Sequence, residues 1–325
     1  MSIFTVISSV PRAARTLDVR VILAFAAIYV LWGGTFLAIR VAVLEVPPLY
    51  ASGVRFFIAG GLLYLFMRWR GEPVPSAVQW RGLAFAALSM FVVTYAALFW
   101  AEQYVASGLT SIIEATLPIT TIALEVFVFR QQPFRWRTAT AVVLGFAGVA
   151  FLLFRDDGPP IAVVPCIVIL VAGVSWSIGA VLTRTLPRPR SAALAAGAQM
   201  LLGGAVLLVL SALTGELHAW PAISVRAGLA LLYLVTAGSL VAFTAYLWLL
   251  TRMSATRVAS HAYINPLVAV ALGYFAAGEV VTPRMLFAAA LVLTGVVLLL
   301  TPPRAARPAA SIRRLDHAHT ENLAR

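Results

Sequence analysis

The feature that most constrains this sequence is a series of apolar runs, each close to the length that crosses a lipid bilayer. A membrane-spanning helix needs about 20 mainly apolar residues, and segments of that size alternate here with short clusters of Arg, Pro and Gly. They predict ten transmembrane helices, at approximately Val21–Val43, Leu49–Met67, Gly82–Ala101, Ser107–Phe129, Trp136–Phe154, Ile161–Leu182, Ala192–Leu213, Gly228–Leu250, Ala255–Ala277 and Met285–Leu300. The first run is too long for a signal-peptide core and lacks a convincing cleavage site, so we expect it to be retained.

Composition excludes an ordinary water-soluble protein. Of the 325 residues, 62% are hydrophobic and 11% charged, whereas a soluble domain carries about 25% charged residues. The sequence therefore predicts an all-α integral membrane protein that contacts the lipid bilayer. The chain has a single cysteine, Cys166, and one cysteine excludes an internal disulfide and a cysteine metal cluster. Cys166 lies in an apolar run, which is typical of a small buried side chain.

The distribution of arginine predicts the orientation in the membrane. The chain has no lysine, so its 24 basic residues are all arginines. Of these, 19 fall in the two terminal segments and in the loops that follow the second, fourth, sixth and eighth predicted helices. Cytoplasmic segments of membrane proteins carry such an excess, so both termini are expected in the cytoplasm. The membrane surface thus accounts for the formal charge of +12, and no nucleic-acid partner is expected. The remaining loops hold few arginines, namely Arg155, Arg226 and Arg284, and these lie next to the acidic residues Glu45, Glu102, Asp156, Asp157 and Glu216.

The chain also resembles itself. At a shift of 144 residues four pairs of identical residues coincide: Trp32 with Trp176, Arg40 with Arg184, Gly53 with Gly197, and Gly60 with Gly204. At a shift of 148 residues two later pairs coincide, Trp100 with Trp248 and Pro118 with Pro266. Each half holds five predicted helices, an odd number, so the second half enters the membrane from the opposite side. Two inverted five-helix repeats are typical of transporters that open alternately to the two faces, and they favour a transporter over a membrane enzyme or a channel. We expect a cytoplasmic segment 1–20, repeats at 21–155 and 161–301, and a disordered cytoplasmic tail 302–325.

Several motifs match a known family. They are Tyr29-Val-Leu-Trp-Gly-Gly-Thr-Phe36, Arg55-Phe56, the small-residue run from Ser107 to Pro118, the segment Ala255–Val270, and Gly278-Glu279. Over about residues 20–301 the chain resembles the EamA-type members of the drug/metabolite transporter superfamily. The resemblance implies a ten-helix carrier of the bacterial inner membrane, usually an exporter of amino acids or other small metabolites. Glu114 and Glu125 depart from the family's fourth helix, where apolar or small residues are commoner.

Glu114 is the first candidate site residue. It lies near the middle of the fourth predicted helix, on a polar stripe about 100° wide that contains Ser107, Thr110, Ser111, Glu114, Pro118, Thr121 and Glu125. Pro118 removes the backbone hydrogen bond to residue 114, which predicts a break in the helix. A charged group in the bilayer needs a partner or a wet cavity. Glu114 is thus expected to bind a substrate amine or a coupling proton; a structural carboxyl held by an arginine or hydroxyl is the alternative. For Glu125, near the cytoplasmic end, the alternatives are a functional role like that of Glu114 and a solvated or arginine-paired role.

Two arginines lie within predicted spans. Arg55 is about six residues, roughly 9 Å at 1.5 Å per residue, inside the outer boundary. Its guanidinium suits a substrate carboxylate, or an ion pair with Glu45 or Glu102. For Arg40, near the end of the first helix, a structural role that exploits the helix dipole is favoured over substrate binding.

The ninth predicted helix mirrors the fourth. Ser254, Arg257, His261 and Asn265 share one face just before Pro266. Two roles are open for His261, a group that titrates near neutrality and a hydrogen-bonded core histidine, which is commoner. Tyr263 is a further candidate lining residue. The tryptophan pairs, with Tyr95 and Tyr246, form aromatic walls around a substrate or serve helix packing. The full set of predicted substrate-binding residues is Glu114, Arg55, Trp32, Thr110, Tyr95, Trp176, Tyr246, His261 and Asn265, with Pro118 and Pro266 as helix breaks.

Other chemistry finds no support. Without lysine there is no phosphate loop of the GxxxxGK type, and neither HExxH nor GxSxG occurs, so no enzyme, metal site or cofactor is expected. The sequence predicts a secondary exporter of amino acids or other small organic metabolites, monomeric or homodimeric, working by proton exchange or facilitated diffusion. A solute channel and a membrane scaffold are the alternatives.

Overall fold

A computed structural model of the chain describes residues 18–153, 162–183, 185–218, 222–250, 252, 258 and 261–300. Within these ranges the chain is helical apart from turns and short loops, and contains no strand. Several predictions fall outside the described residues: residues 1–17 of the N-terminal segment, the tail 302–325, and the side chains Asp156, Asp157, Arg184, Ser254 and Arg257. The side chain of Tyr263 is likewise not described.

The helices follow the predicted apolar runs to within a few residues. We label them α1 (Val19–Val43), α2 (Pro48–Trp69), α3 (Ala77–Ala101), α4 (Ser107–Val128), α5 (Trp136–Leu153), α6 (Val163–Leu182), α7 (Ala192–Leu213), α8 (Val225–Leu249), α9 (His261–Ala277) and α10 (Pro283–Leu300). The predicted start of the ninth helix, Ala255, lies where the structure is not described.

Eight helices of the described chain, α1 to α8, are long and apolar enough to cross a membrane. The last two contain shorter apolar stretches, Ile264–Ala277 and Pro283–Leu299. Large apolar side chains such as Leu65, Val143 and Phe275 are exposed on the outer surface of the bundle, where lipid can cover them. The architecture is that of a multi-pass membrane protein.

Serine side chains cap the N-termini of several helices. Ser76 forms a capping box with Gln79 at the start of α3, and Ser191 and Ser224 accept backbone N–H groups in the first turns of α7 and α8. These bonds satisfy N–H groups that have no partner inside the helix. The starts of α3, α7 and α8 thus carry short-range signals that the sequence contains.

Three helices contain π-helical segments, at Ala87–Val93 in α3, Leu124–Val128 in α4 and Leu234–Val241 in α8. A π-helical turn inserts an extra residue and redirects the side chains around it, and such turns are frequent at functional sites. The segments of α3 and α8 occupy the same place in the third helix of each half of the chain.

The two prolines of the sequence repeat differ in effect. Helix α4 is interrupted between Glu114 and Leu117, directly before Pro118. Helix α9, by contrast, continues without a break through Pro266. Because α9 stays continuous, Pro266 does not act as the helix break expected from the sequence, and the two halves differ at this point.

Helices α2 and α7 pack face to face through glycines. A Cβ atom built on Gly60 would lie 2.7 Å from the Cβ of Met200, and one built on Gly204 would lie 2.7 Å from the Cα of Phe57. Farther along, Gly53 meets Leu208 (2.9 Å to Cγ) and Gly197 meets Tyr64 (2.7 Å to the backbone N). The contacts are reciprocal at the 144-residue shift. Gly197, the repeat mate of Gly53, meets Tyr64, and Gly53 meets Leu208, which lies 144 positions after Tyr64.

The other helices pair across the two halves of the sequence in the same reciprocal manner. Helix α1 packs against α8 and α9, whereas α6 packs against α3 and α4. The fifth helices, α5 and α10, pack on each other. Buried side chains from both halves therefore meet in the middle of the bundle, where the predicted site residues lie.

Candidate functional site

Arg55 lies buried in the centre of the bundle. It is 3% exposed, and its Nε donates a hydrogen bond to the hydroxyl of Ser239 in α8 at 3.0 Å. The guanidinium carbon lies 4.7 Å from the ring centre of Phe56 and 5.3 Å from that of Tyr95, distances that allow cation–π attraction. Its Nη1 has no hydrogen-bond partner. The protein thus holds the cation in place while leaving one of its donors available.

An aromatic cluster surrounds Arg55. The ring of Tyr95 lies 4.4 Å from Phe56, 6.1 Å from Phe91 and 6.2 Å from Trp176, measured between ring centroids. The cluster therefore brings together Arg55, Tyr95 and Trp176, three of the residues that the sequence singled out.

A second aromatic cluster forms around Trp32. Its ring lies 5.2 Å from Tyr246 and 5.0 Å from His261, and Phe243 packs beside them at 6.3 Å. The His261 Nδ1 lies 3.0 Å from the carbonyl oxygen of Val258. This hydrogen bond agrees with a core histidine, one of the two interpretations that the sequence left open.

Asn265 lies on the same helix as His261. When the side-chain amide of Asn265 is oriented so that its nitrogen faces hydrogen-bond acceptors, this nitrogen donates to the carbonyl oxygens of His261 at 3.1 Å, Ile28 at 3.3 Å and Tyr29 at 3.3 Å. The side chain therefore joins α9 to α1 next to the Trp32 cluster.

The π-helical segment of α8 connects the two clusters. Gly238 accepts the indole N–H of Trp32 through its backbone carbonyl at 2.9 Å, and the neighbouring Ser239 binds Arg55. Sequence analysis missed both residues, because a glycine and a serine in an apolar helix carry no signal of their own. The local helix geometry that aims them at Trp32 and Arg55 is visible only in the structure.

Glu114 faces α6. A Cβ atom built on Gly173 would lie 3.8 Å from the Glu114 Oε1, and this oxygen is buried without a hydrogen-bond partner. The polar stripe continues along the same interface, where the hydroxyls of Thr121 and Ser177 lie 2.9 Å apart. Thr110 is fully buried and its hydroxyl donates to the carbonyl of Ala106 in its own helix, so it contributes no free polar atom.

Glu102 is a buried carboxyl at the end of α3. It is 0% exposed, and neither of its carboxyl oxygens has a hydrogen-bond partner. Arg40 donates from Nη1 to the backbone carbonyl of Glu102, in keeping with the favoured structural role of Arg40. Sequence analysis named Glu102 as an acidic loop residue and as a possible partner for Arg55, and the structure forms no hydrogen bond between the two side chains.

Three other acidic loop residues of the described chain, Glu45, Glu216 and Glu279, bind the first turns of helices on the same side of the molecule. Glu45 accepts the backbone N–H and the hydroxyl of Ser224, both at 2.8 Å. Glu216 accepts the N–H of Tyr50 at 3.0 Å, and Glu279 accepts that of Ser107 at 2.8 Å. We call this side, formed by the loops that hold Glu45, Glu102, Glu216 and Glu279, the carboxylate end. The hydrogen bonds from Ser224 hold the pKa of Glu45 below its ordinary value.

Two cavities lie near the surface of the described bundle. One of about 370 Å³ is lined by residues of α2, α3, α6 and the end of α7, including Trp100 and Glu216; the other, of about 330 Å³, lies between α4, α9 and α10, beside Tyr274. Neither is lined by Arg55 or Glu114. Trp100 lines the first cavity, whereas Trp32 and Trp176 lie in the aromatic clusters described above.

Comparison with known proteins agrees with this architecture. The model of the EamA-like transporter family matches twice, over residues 19–154 and 164–301. The chain is 34% identical over 282 residues to an uncharacterized inner membrane transporter, YedA, of Escherichia coli K12, covering 85% of this chain and 89% of that protein. It is 26% identical to a probable amino-acid metabolite efflux pump of Salmonella typhimurium LT2, covering 83% and 91% of the two chains.

A solved structure has the same fold. The crystal structure of a protein that is 19% identical in sequence superposes with a TM-score of 0.58 and covers 87% of this chain and 96% of the other. The match of the family model to both halves of the chain carries the assignment. The chain belongs to the EamA-like transporter family and is a membrane transporter.

Proposed function

We propose that this transporter exports amino acids or similar small organic metabolites across the bacterial inner membrane by alternating access. In this proposal all ten helices cross the membrane as two five-helix repeats of opposite orientation. Both termini lie in the cytoplasm, and the carboxylate end faces outward. The location follows the inner-membrane relative from Escherichia coli, and the orientation follows the arginine-rich loops.

The observation that carries the proposal is the reciprocal contact between α2 and α7. Along this contact Gly53 meets Leu208 and Gly60 meets Leu201, so residue numbers rise in one helix as they fall in the other, and the helices are antiparallel. A two-fold relation that exchanges two antiparallel helices has its axis perpendicular to them. Such an axis lies in the plane of the membrane, which supports inverted repeats that rock around a central site.

The polar side chains in the centre support a substrate with both an acidic and a basic group. Arg55 has an unpartnered donor that suits a carboxylate, and Glu114 has an unpartnered oxygen that suits an ammonium group. Tyr95 and Trp176 beside Arg55 offer aromatic surface for the rest of the molecule. The relative from Salmonella, named as a probable amino-acid metabolite efflux pump, supports the same class of substrate.

Counterflow in proteoliposomes tests this function. Vesicles containing the purified full chain are loaded with one of a panel of amino acids, purines and sugars, and uptake of the radiolabelled compound is followed at several values of pH. We expect saturable uptake that internal amino acid stimulates, and loss of this uptake in Arg55→Gln and Glu114→Gln. Glu72→Gln, in the loop between α2 and α3, is the matched control and should behave like the wild type. Unsaturable flux without counterflow would indicate a channel, and absence of flux a scaffold.

Labelling of single cysteines tests the topology. In a Cys166→Ala background, which removes the single native thiol, Ala309→Cys places a thiol in the tail and Gln103→Cys places one beside the carboxylate end. We expect a membrane-impermeant maleimide to label position 103 in intact cells and position 309 only after permeabilisation. Labelling of position 309 in intact cells would overturn the proposed orientation.

A further inference from the structure

The unpartnered polar atoms of the buried interior are concentrated in one region. Within the described residues, the buried side-chain oxygen and nitrogen atoms without a hydrogen-bond partner belong to Arg55, Glu102, Ser107 and Glu114. These residues lie on α2, at the end of α3 and on the first part of α4. Buried polar groups in proteins normally find partners, so this concentration requires an explanation.

Glu102 is the extreme member of this group, because both of its carboxyl oxygens are buried and without a partner. An ionised carboxylate in such surroundings loses its hydration and gains no hydrogen bond in return, which is strongly unfavourable. A protonated carboxyl is neutral and avoids this cost. The packing around Glu102 therefore favours the protonated form of its carboxyl group.

The charged groups around Glu102 come from four sides. Arg40 on α1 and Arg55 on α2 attract its ionised form, and Glu114 on α4 and Glu279 after α9 repel it. Both arginines have other acceptors, since Arg40 binds the Glu102 backbone carbonyl and Arg55 binds Ser239. Glu279 accepts the N–H groups that begin α4. With two cations and three carboxyl groups, the cluster becomes neutral when it holds one proton.

We propose that Glu102 is a proton-binding site of the transporter and that its proton moves with each transport cycle, so that solute transport is coupled to proton transport. This inference rests on the proposed alternating-access function. When one end of the molecule opens, water reaches Glu102 and a proton passes between a hydronium ion and a carboxylate oxygen. When the other end opens, the proton returns to water there. No other bond forms or breaks.

A proton suits this site better than a metal ion. No group of three or more histidine, cysteine or acidic side chains arranged to hold a metal occurs in the described part of the chain. Divalent cations such as Ca²⁺ and Mg²⁺ need six or more oxygen ligands in a defined geometry. A single buried carboxyl group binds a proton without such ligands, and the two arginines beside it repel a metal cation.

Infrared difference spectroscopy tests the site without any substrate. The purified full chain in lipid is compared with Glu102→Gln and with the control Glu72→Gln at neutral pH. We expect a protonated-carboxyl carbonyl band in the wild type and in Glu72→Gln that disappears in Glu102→Gln and persists, shifted, in Glu102→Asp. If the wild type and Glu102→Gln show identical carboxyl bands, Glu102 is ionised and the proposal is wrong.

A transport measurement tests the coupling. Vesicles containing a trapped pH indicator report proton movement while an amino acid found active in counterflow flows down its gradient. We expect about one proton to move per solute molecule in the wild type and in Glu72→Gln, and none in Glu102→Gln, whose counterflow stays measurable. Solute flux without proton movement in the wild type would overturn the inference and leave the proposed transport function intact. If no solute gives counterflow, the proposed function fails, and the infrared result still decides whether Glu102 binds a proton.

Discussion

The carboxylate of Glu279 accepts the backbone N–H of Ser107 at 2.8 Å and thereby fastens the loop after α9 to the first turn of α4. Gly278, just before it, has a φ of +66°, which a residue without a Cβ adopts at little cost. This turn delivers the carboxylate to a helix start more than 170 residues away in the sequence. Two further carboxylates make the same kind of bond at the carboxylate end, Glu216 at the start of α2 and Glu45 at the start of α8.

Removing the cap at α4 should destabilise the protein. Glu279→Ala leaves the N–H groups of Ser107 and Gly108 without their acceptor, and loss of an N-terminal cap costs about 0.5–2 kcal/mol. We expect a lower midpoint of thermal unfolding in detergent for Glu279→Ala and a smaller decrease for Glu279→Gln, whose amide oxygen still accepts. An equal midpoint for the wild type and Glu279→Ala would show that the cap contributes no stability.

The contact between Glu45 and Ser224 should weaken in acid. Because the pKa of Glu45 is lowered in the folded protein by its bonds to Ser224, its stabilising effect is complete above the ordinary carboxyl pKa and is lost as the pH falls through the lowered value. We therefore expect Glu45→Gln to lower the unfolding midpoint at neutral pH and to match the wild type in acid. A difference that persists unchanged at low pH would contradict this assignment.

The packing of α2 on α7 can be tested with two adjacent glycines. A methyl group at Gly60 would lie 2.7 Å from backbone and side-chain atoms of Met200, whereas one at Gly61 would have its nearest atom at 3.7 Å, the Cδ1 of Leu201. Overpacking of this kind typically costs about 1–3 kcal/mol. Gly60→Ala should lower the unfolding midpoint clearly and Gly61→Ala should not. Equal effects of the two substitutions would mean that the helices do not pack as described.

The hydrogen bond between Ser239 and Arg55 should matter for substrate binding if Arg55 holds the substrate. Ser239→Ala removes the acceptor of the Arg55 Nε, and a hydrogen bond to a charged group contributes about 1.5–3 kcal/mol. We expect a KM for counterflow at least tenfold higher with a smaller change in maximal rate. The matched control is Thr236→Ala on the same π-helical segment, because the exposed Thr236 donates its hydroxyl to the Leu232 carbonyl of its own helix. An unchanged KM in Ser239→Ala would separate Arg55 from the substrate.

Much of the fold could be predicted from the sequence. The apolar runs gave the positions of the helices, such as α7 at Ala192–Leu213, because hydropathy is a property of a short stretch of chain. The family was recognisable from local motifs such as Tyr29 to Phe36. The pairing of Gly60 with Gly204 at one sequence shift pointed to glycines that prove to lie at the contact between α2 and α7.

The candidate site was only partly predictable. Arg55, Tyr95 and Trp176 were named individually, and they lie together. Ser239 and Gly238 were missed because their importance depends on a π-helical turn that rotates them toward α1 and α2. Glu102 was classed with the loop acids, since its position beside Ala101 resembles that of an exposed helix end.

Sequence alone determined where the helices lie, which family they belong to and where charge interrupts the apolar runs, because each of these properties is set by neighbouring residues. Tertiary structure alone decided which of those charges are satisfied. Glu45, Glu216 and Glu279 find distant helix starts, and Glu102 finds no partner although it carries the same side chain. The difference arises because burial and hydrogen bonding depend on segments that are far apart in the chain and meet only when the helices pack.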